Sequence, residues 1–161
     1  MLDGRFRVDA TLGVGTATEA YLAEQLSLAR KVVLKVIRPD LGLGQGGGER
    51  FAREVKRLAA VDHPSVVRVI DSGQVEQLLY LVTEYVDGRP LAQELTSEPM
   101  LPERAVELLT QLAEALAAVH EQGLVHGELR PECVTLVKVT KGEQVKLADF
   151  GIARLVDAEK P

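Results

Sequence analysis

The hydrophobic period changes partway along this chain, and that change limits the folds open to it. Phe6, Val8, Ala10 and Leu12 alternate with charged or small residues, which is the pattern of a half-buried strand running into a glycine turn. Ala20 to Glu24 reads as the return strand. Lys31 to Ile37 (KVVLKVI) reads as a third, rich in β-branched residues and stopped by Pro39. A glycine tract (Gly42, Gly44, Gly46, Gly47, Gly48) reads as a flexible connection. From Glu49 the period is helical, with Phe51, Val55, Leu58 and Ala59 on one face and His63-Pro64 ending the helix. Val66 to Ile70 and Gln77 to Val86 read as a hairpin turning at Asp71-Ser72-Gly73. After Asp87-Gly88 the strongest helix signal is Pro102 to Gln122. Its stripe is Ala105, Leu109, Leu112, Leu116 and Val119, and Gly123 is its stop. Val134 to Val139 and Gln144 to Ala148 form a last hairpin around Lys141-Gly142, and no internal repeat is present. The pattern is that of an α+β chain, antiparallel strands with one helix followed by a more helical second half.

Composition narrows the function. The 161 residues are 46% hydrophobic and 27% charged, as in folded globular chains. The longest apolar run, Leu78 to Val82, falls far short of the roughly 20 residues that cross a bilayer. The opening MLDGRFRVDA has the look of an authentic start and no apolar core for a secretory signal. The single cysteine, Cys133, excludes an internal disulfide and fits a reducing compartment. A net charge of −5 argues against nucleic acid or an anionic membrane as partner. A soluble, cytoplasmic protein is expected.

Several residues stand out against that background. In TLGVGTATEAYLA a glycine turn between strands can lay backbone N–H groups over phosphates, although most Gly-x-Gly turns are only turns. Lys35 interrupts a strand otherwise built for burial. It is either an edge lysine in water or a cation that needs an anion. Glu54, beside the apolar stripe of the first helix, could fix it while leaving donors for a phosphate. Farther on, His126, Glu128, Arg130 and Asp149 crowd the loop and hairpin of GLVHGELRPECVTL and VKLADFGIA. Asp149, before Phe150-Gly151, is a carboxylate at a turn and suits a hard cation such as Mg²⁺.

Taken in order, these blocks resemble the eukaryotic-type protein kinase family, notably the bacterial Ser/Thr kinases, from Met1 to about Arg154. The resemblance implies a kinase N-lobe over 1–86, an antiparallel sheet with one regulatory helix. The first part of a helical C-lobe would follow over 87–161, ending after the DFG turn. It implies a phosphate loop at Gly13, Val14 and Gly15, an ATP lysine at Lys35, and a regulatory-helix glutamate at Glu54. Ala20 and Val33 would roof adenine and Thr135 would lie beneath it. Thr83 would be the gatekeeper, with Glu84 to Val86 bonding adenine through backbone groups. Glu128 and Arg130 would stand in the catalytic loop, and Asp149 would hold the metal of an ATP or ADP complex. Leu58, Val69, His126 and Phe150 match the family's hydrophobic spine.

The departures from the family fall on the chemistry. His126-Gly127-Glu128 replaces His-Arg-Asp, so the base is one methylene longer, and a misplacement of ~1 Å can cost ~10²-fold. Arg130 replaces lysine, a change of shape rather than charge. Cys133 replaces the asparagine that holds a second Mg²⁺, and a neutral thiol is a poor ligand for so hard an ion. Thr18 stands for the third loop glycine, and Ala20 and Val33 change size in opposite directions. These features give the expectation of a pseudokinase that holds nucleotide and acts by protein contact. A protein partner, or self-association, would cover the apolar face of residues 102–122. A slow Ser/Thr phosphotransferase with Glu128 as base is the alternative. A third reading is dinucleotide binding through Gly42-x-Gly44-x-x-Gly47 and Asp71, but it leaves the HGELRPEC and ADFG blocks without a role.

Overall fold

The structure is a computed structural model and describes residues 1–15, 18–38, 46–96 and 99–150. The described residues form two compact units, one of residues 1–59 and 68–85, the other of residues 60–67 and 86–150.

The first unit is a five-stranded antiparallel sheet in the order β1-β2-β3-β5-β4. Its strands are β1 (Phe6–Val14), β2 (Thr18–Gln25), β3 (Arg30–Ile37), β4 (Val69–Val75) and β5 (Leu78–Glu84). Helix α1 (Gly47–Ala59) packs on one face, where Phe51 and Val55 meet Ile37, Leu79 and Leu81. Side chains of a strand alternate between faces, so Val32 and Leu34 point the other way, into a second cluster with Phe6, Ala23, Tyr80 and Val82. Strand β3 therefore has no water-facing side over most of its length, which explains its β-branched composition.

Three expectations are corrected here. Asp71-Ser72-Gly73 is not a turn but lies within β4, and the chain reverses after Val75, at Glu76, whose φ is 54°. Gly73 is needed for close approach, since a Cβ there would sit 2.6 Å from Cζ of Tyr80. The alternation expected of β1 fails beyond Phe6. Val8 and Leu12 are exposed, because register shifts between Val8 and Ala10 and between Thr11 and Gly13 move successive residues off a common face. The dinucleotide reading loses its βαβ unit, because β3 and β4 are not neighbours and β5 runs antiparallel between them. The carboxylate of Asp71 is taken by Arg5 at 2.6 Å, while Gly42 and Gly44 lie outside the described residues. Arg5 also reaches Tyr80 Oη, which donates to Asp3 at 2.8 Å, so the N-terminus is tied to β4 and β5.

The second unit is built from the short strand β6 (Arg89–Pro90), α2 (Leu91–Glu94), α3 (Pro102–Glu121) and the hairpin of β7 (Val134–Lys138) and β8 (Glu143–Leu147). Only the second half of the expected strand Val66–Ile70 joins the first sheet. Ser65 O accepts from Leu147 N at 2.8 Å and Val67 N donates to Leu147 O at 2.9 Å, which fastens residues 65–67 to β8. Of the stripe predicted for α3, Val119 is buried and Ala105, Leu112 and Leu116 are half-buried, whereas Leu109 is 62% exposed; Leu108 and Ala115 are buried beside them. Half-buried polar residues share this face. Gln111 Nε2 donates to Glu143 O at 2.8 Å while its Oε1 accepts from Val145 N at 2.9 Å. Arg104 binds Glu143 through Nε at 2.6 Å and Glu94 through Nη2 at 2.9 Å.

Two outcomes follow from this packing. Gly73→Ala should lower stability by about 1–3 kcal/mol through overpacking against Tyr80, read as a shifted urea midpoint. The Arg104 guanidinium holds the carboxyl of Glu143 below its ordinary value of 4.5, against the opposing effect of burial. A depressed folded pKa stabilises fully above the unfolded value and is lost as pH falls through the folded one. The stability gap between wild type and Glu143→Gln should therefore be constant near neutrality and shrink below about pH 4.5. A gap independent of pH would contradict the assignment.

Candidate nucleotide and catalytic-loop site

The register of the first sheet brings four expected site residues to one face. Lys35 lies directly opposite Ala20 on one side and Leu81 on the other, and Val33 lies opposite Leu22 and Thr83. Directly opposed residues of an antiparallel pair share a face, so Ala20, Val33, Lys35 and Thr83 form a patch beside the cluster that packs on α1. Lys35 is only 6% exposed, the one cation inside that cluster's face among the described residues. Glu54 stands half-buried on α1 with Oε1 3.3 Å from Arg57 Nη1.

Gly13 pairs with Ala20 and Val14 with Glu19, and Gly15 N donates to Thr18 O at 2.7 Å across the β1–β2 turn. A Cβ at Gly13 would meet nothing within 4 Å, and the residue has no left-handed φ. The fold therefore does not require glycine at this position. At the end of β5, Thr83 is buried, and Glu84 N donates to Arg68 O at 3.0 Å while Glu84 Oε1 accepts from Arg68 N at 3.1 Å. Tyr85 carries Lys31 Nζ 5.7 Å from its ring centre, and Val86 follows, half-buried, as the first residue of its segment in the second unit.

In the second unit the catalytic-loop segment hangs from a buried histidine. His126 Nε2 donates to Ala148 O at 2.8 Å, its ring lies 4.9 Å from that of Phe150, and Nδ1 faces Glu128 N at 3.4 Å. Gly127 bends the loop with φ 83°, a conformation glycine adopts at no steric cost. The carboxylate of Glu128 is partly exposed, 3.5 Å from Arg130 Nη1. Cys133 closes the segment at 3% exposure, and its Sγ lies 3.5 Å from Glu128 O. Burial first, and the charge of Asp149 second, push the Cys133 thiol up from its ordinary value. Thr135 lies on β7 between buried Val134 and Leu136, and it is packed so close to Gly88 that a Cβ there would sit 2.7 Å from Thr135 Cγ2.

Asp149 is exposed and has φ 67°, a strained conformation for a residue with a Cβ. Sequence reasoning singled out its side chain but not this backbone state, which no composition signal reveals. Gly151 lies outside the described residues. Among the described residues no three His, Cys, Asp or Glu side chains are grouped to hold a metal. No helix among them is long and apolar enough to cross a membrane.

Known proteins share this arrangement. The family described as Protein kinase domain matches residues 6–161. The chain is 52% identical over 159 residues to the Serine/threonine-protein kinase pkn2 of Myxococcus xanthus, covering 99% of this chain and 19% of that one. It is 38% identical to the Serine/threonine-protein kinase PknB of Mycobacterium tuberculosis, covering 96% and 25%. The crystal structure of the M. tuberculosis PknI kinase domain superposes with a TM-score of 0.79 at 28% identity, over 92% of this chain and 59% of that one. The chain thus spans about a fifth to a quarter of the length of these curated relatives. With its antiparallel sheet, single sheet-packed helix and histidine-anchored loop, the chain belongs to the protein kinase family.

Proposed function

We propose that this domain is a pseudokinase-type module that binds ATP or ADP, transfers phosphate poorly or not at all, and acts through contact with protein. The observation that carries the reading is Cys133. It occupies the metal-ligand position of the family's catalytic loop, is almost fully buried and is held in the protonated form. A neutral thiol does not suit Mg²⁺, which takes oxygen ligands in a tight octahedron. Cys133 instead braces the loop through the Glu128 carbonyl. Asp149 alone offers the exposed carboxylate that a hard cation accepts, so the residues fit a nucleotide better than they fit its full metal complement.

The nucleotide half of the reading rests on the first sheet. Lys35 supplies a buried cation for phosphates, Ala20, Val33 and Thr83 supply the apolar face for a base, and the turn at Gly13 to Gly15 leaves room for close approach. Glu54 orients Lys35, and Glu84 presents a backbone group to the base. Bound ATP would supply a transferable γ-phosphoryl group. Glu128 would accept the proton of an attacking hydroxyl, with Arg130 holding its carboxylate. The longer glutamate stem misplaces that carboxylate, so proton acceptance is slow. The protein contact belongs to the outer face of α3, where Val106 and Leu109 are each 62% exposed.

The test is release of γ-phosphate from labelled ATP, in wild type and in Glu128→Asp with Cys133→Asn. Wild type should show no Mg²⁺-dependent turnover above background, and the double variant should gain about 10²-fold or more. Wild-type turnover in the ordinary kinase range of about 1–100 s⁻¹ would overturn the reading and favour an active kinase using Glu128.

A further inference from the structure

Strand β8 ends its three-stranded sheet, so one edge of it presents backbone groups that the sheet leaves unpaired. Partners within the same unit close that edge. Gln111 of α3 donates from Nε2 to Glu143 O at 2.8 Å and accepts at Oε1 from Val145 N at 2.9 Å. Farther along, Leu147 N donates to Ser65 O at 2.8 Å, and Leu147 O accepts from Val67 N at 2.9 Å.

Gln144 joins the two clamps. Its Nε2 donates to Ser65 Oγ at 2.6 Å and to Gln111 Oε1 at 2.9 Å. One carboxamide thus ties α3, residues 65–67 and β8 together. Ser65 is 1% exposed, and a hydroxyl so deeply buried costs stability when its hydrogen bond is lost. A buried polar network with its partners in place also rigidifies its surroundings and selects one arrangement of them.

What the network holds lies directly upstream of Asp149. Leu147 is pinned two residues before it. Ala148 N donates to Cys133 O at 2.9 Å, and Ala148 O accepts from His126 Nε2 at 2.8 Å. The chain then passes through Asp149 at φ 67°. A left-handed residue with a Cβ persists where the surrounding structure over-determines it. We propose that Gln144 is a positioning residue for Asp149, fixing through Gln111 and Ser65 the end of β8 that feeds this left-handed backbone. Every residue in that chain of contacts belongs to the second unit. The consequence for a bound cation rests on the role given to the Asp149 carboxylate above, whereas the consequence for its backbone does not.

The experiment reads the one-bond Cα–Hα coupling of Asp149 in the 161-residue chain, a quantity that separates left-handed from ordinary backbone. The urea midpoint and the affinity for Mn²⁺ alone, from water-proton relaxation, are read beside it. In Gln144→Leu the coupling should move toward that of a residue with negative φ, and Mn²⁺ affinity should fall about fivefold or more. The midpoint should fall too, because Ser65 Oγ is left buried without its donor. Adding Ser65→Ala removes that orphan, so the midpoint should recover while the coupling does not. Should Gln144→Leu not fold, Ser65→Ala alone cuts one link and should move the coupling the same way by less. A coupling that stays unchanged while the midpoint falls overturns the proposal, since the network then serves stability only. So does a coupling that recovers with the midpoint in the double variant. If Asp149→Asn binds Mn²⁺ as wild type does, the cation role of Asp149 fails and the positioning of its backbone stands.

Discussion

Strand β3 is buried on both faces, and the first unit is organised around that fact. Val32 and Leu34 feed one cluster and Ile37 the other, so both cores depend on a single register. A slip of one residue would exchange the two faces and send each side chain into the wrong cluster. The same register places Lys35 opposite Ala20 and Leu81. Lys35 is 6% exposed on that strand, so its ammonium lies away from bulk water. A buried cation must be compensated. At Gly13 the missing side chain serves no packing or backbone purpose.

The loop of the second unit hangs on a buried histidine and a buried cysteine. His126 spans from the Ala148 carbonyl to the Glu128 amide and rests on Phe150, which fixes the shape of the loop. Cys133 holds the Glu128 carbonyl from the other side. Packing and hydrogen bonds hold the loop at both of these points. A buried, protonated thiol at that place is compatible with a stable loop and poorly matched to a hard cation. Asp149 takes a left-handed backbone, which aspartate tolerates better than most residues with a Cβ.

Much of this was legible in the sequence, and the exceptions have physical causes. The strands from Ala20 to Glu24 and from Lys31 to Ile37, the helix stripe of Phe51, Val55 and Leu58, and the final hairpin all follow hydrophobic period and turn chemistry. The β4–β5 turn was misplaced because Gly73 is a close-approach glycine, whereas the true turn uses Glu76 at positive φ and carries no glycine to announce it. On α3 only Leu109 of the expected stripe is exposed, because half-buried Arg104 and Gln111 take inner positions where their polar ends satisfy β8. Hydropathy alone assigns such residues to water. Residues 65–67 look like the start of β4 and instead bind Leu147, a long-range pairing that no local pattern encodes. For the site, the order of the motifs singled out Lys35, Glu128 and Asp149, and only the structure showed how Cys133 is held.

The central claim is that this chain keeps a working nucleotide site although its catalytic loop is unsuited to transfer. Its most direct test is an ATP titration of the thermal midpoint, with and without Mg²⁺, in wild type and Lys35→Ala. At 100 times Kd, binding should add roughly 2.7 kcal/mol, several degrees for a domain of this size. The account predicts that shift in wild type, little dependence on Mg²⁺, and its loss in Lys35→Ala. No shift at millimolar ATP, or one that Lys35→Ala leaves intact, would contradict it.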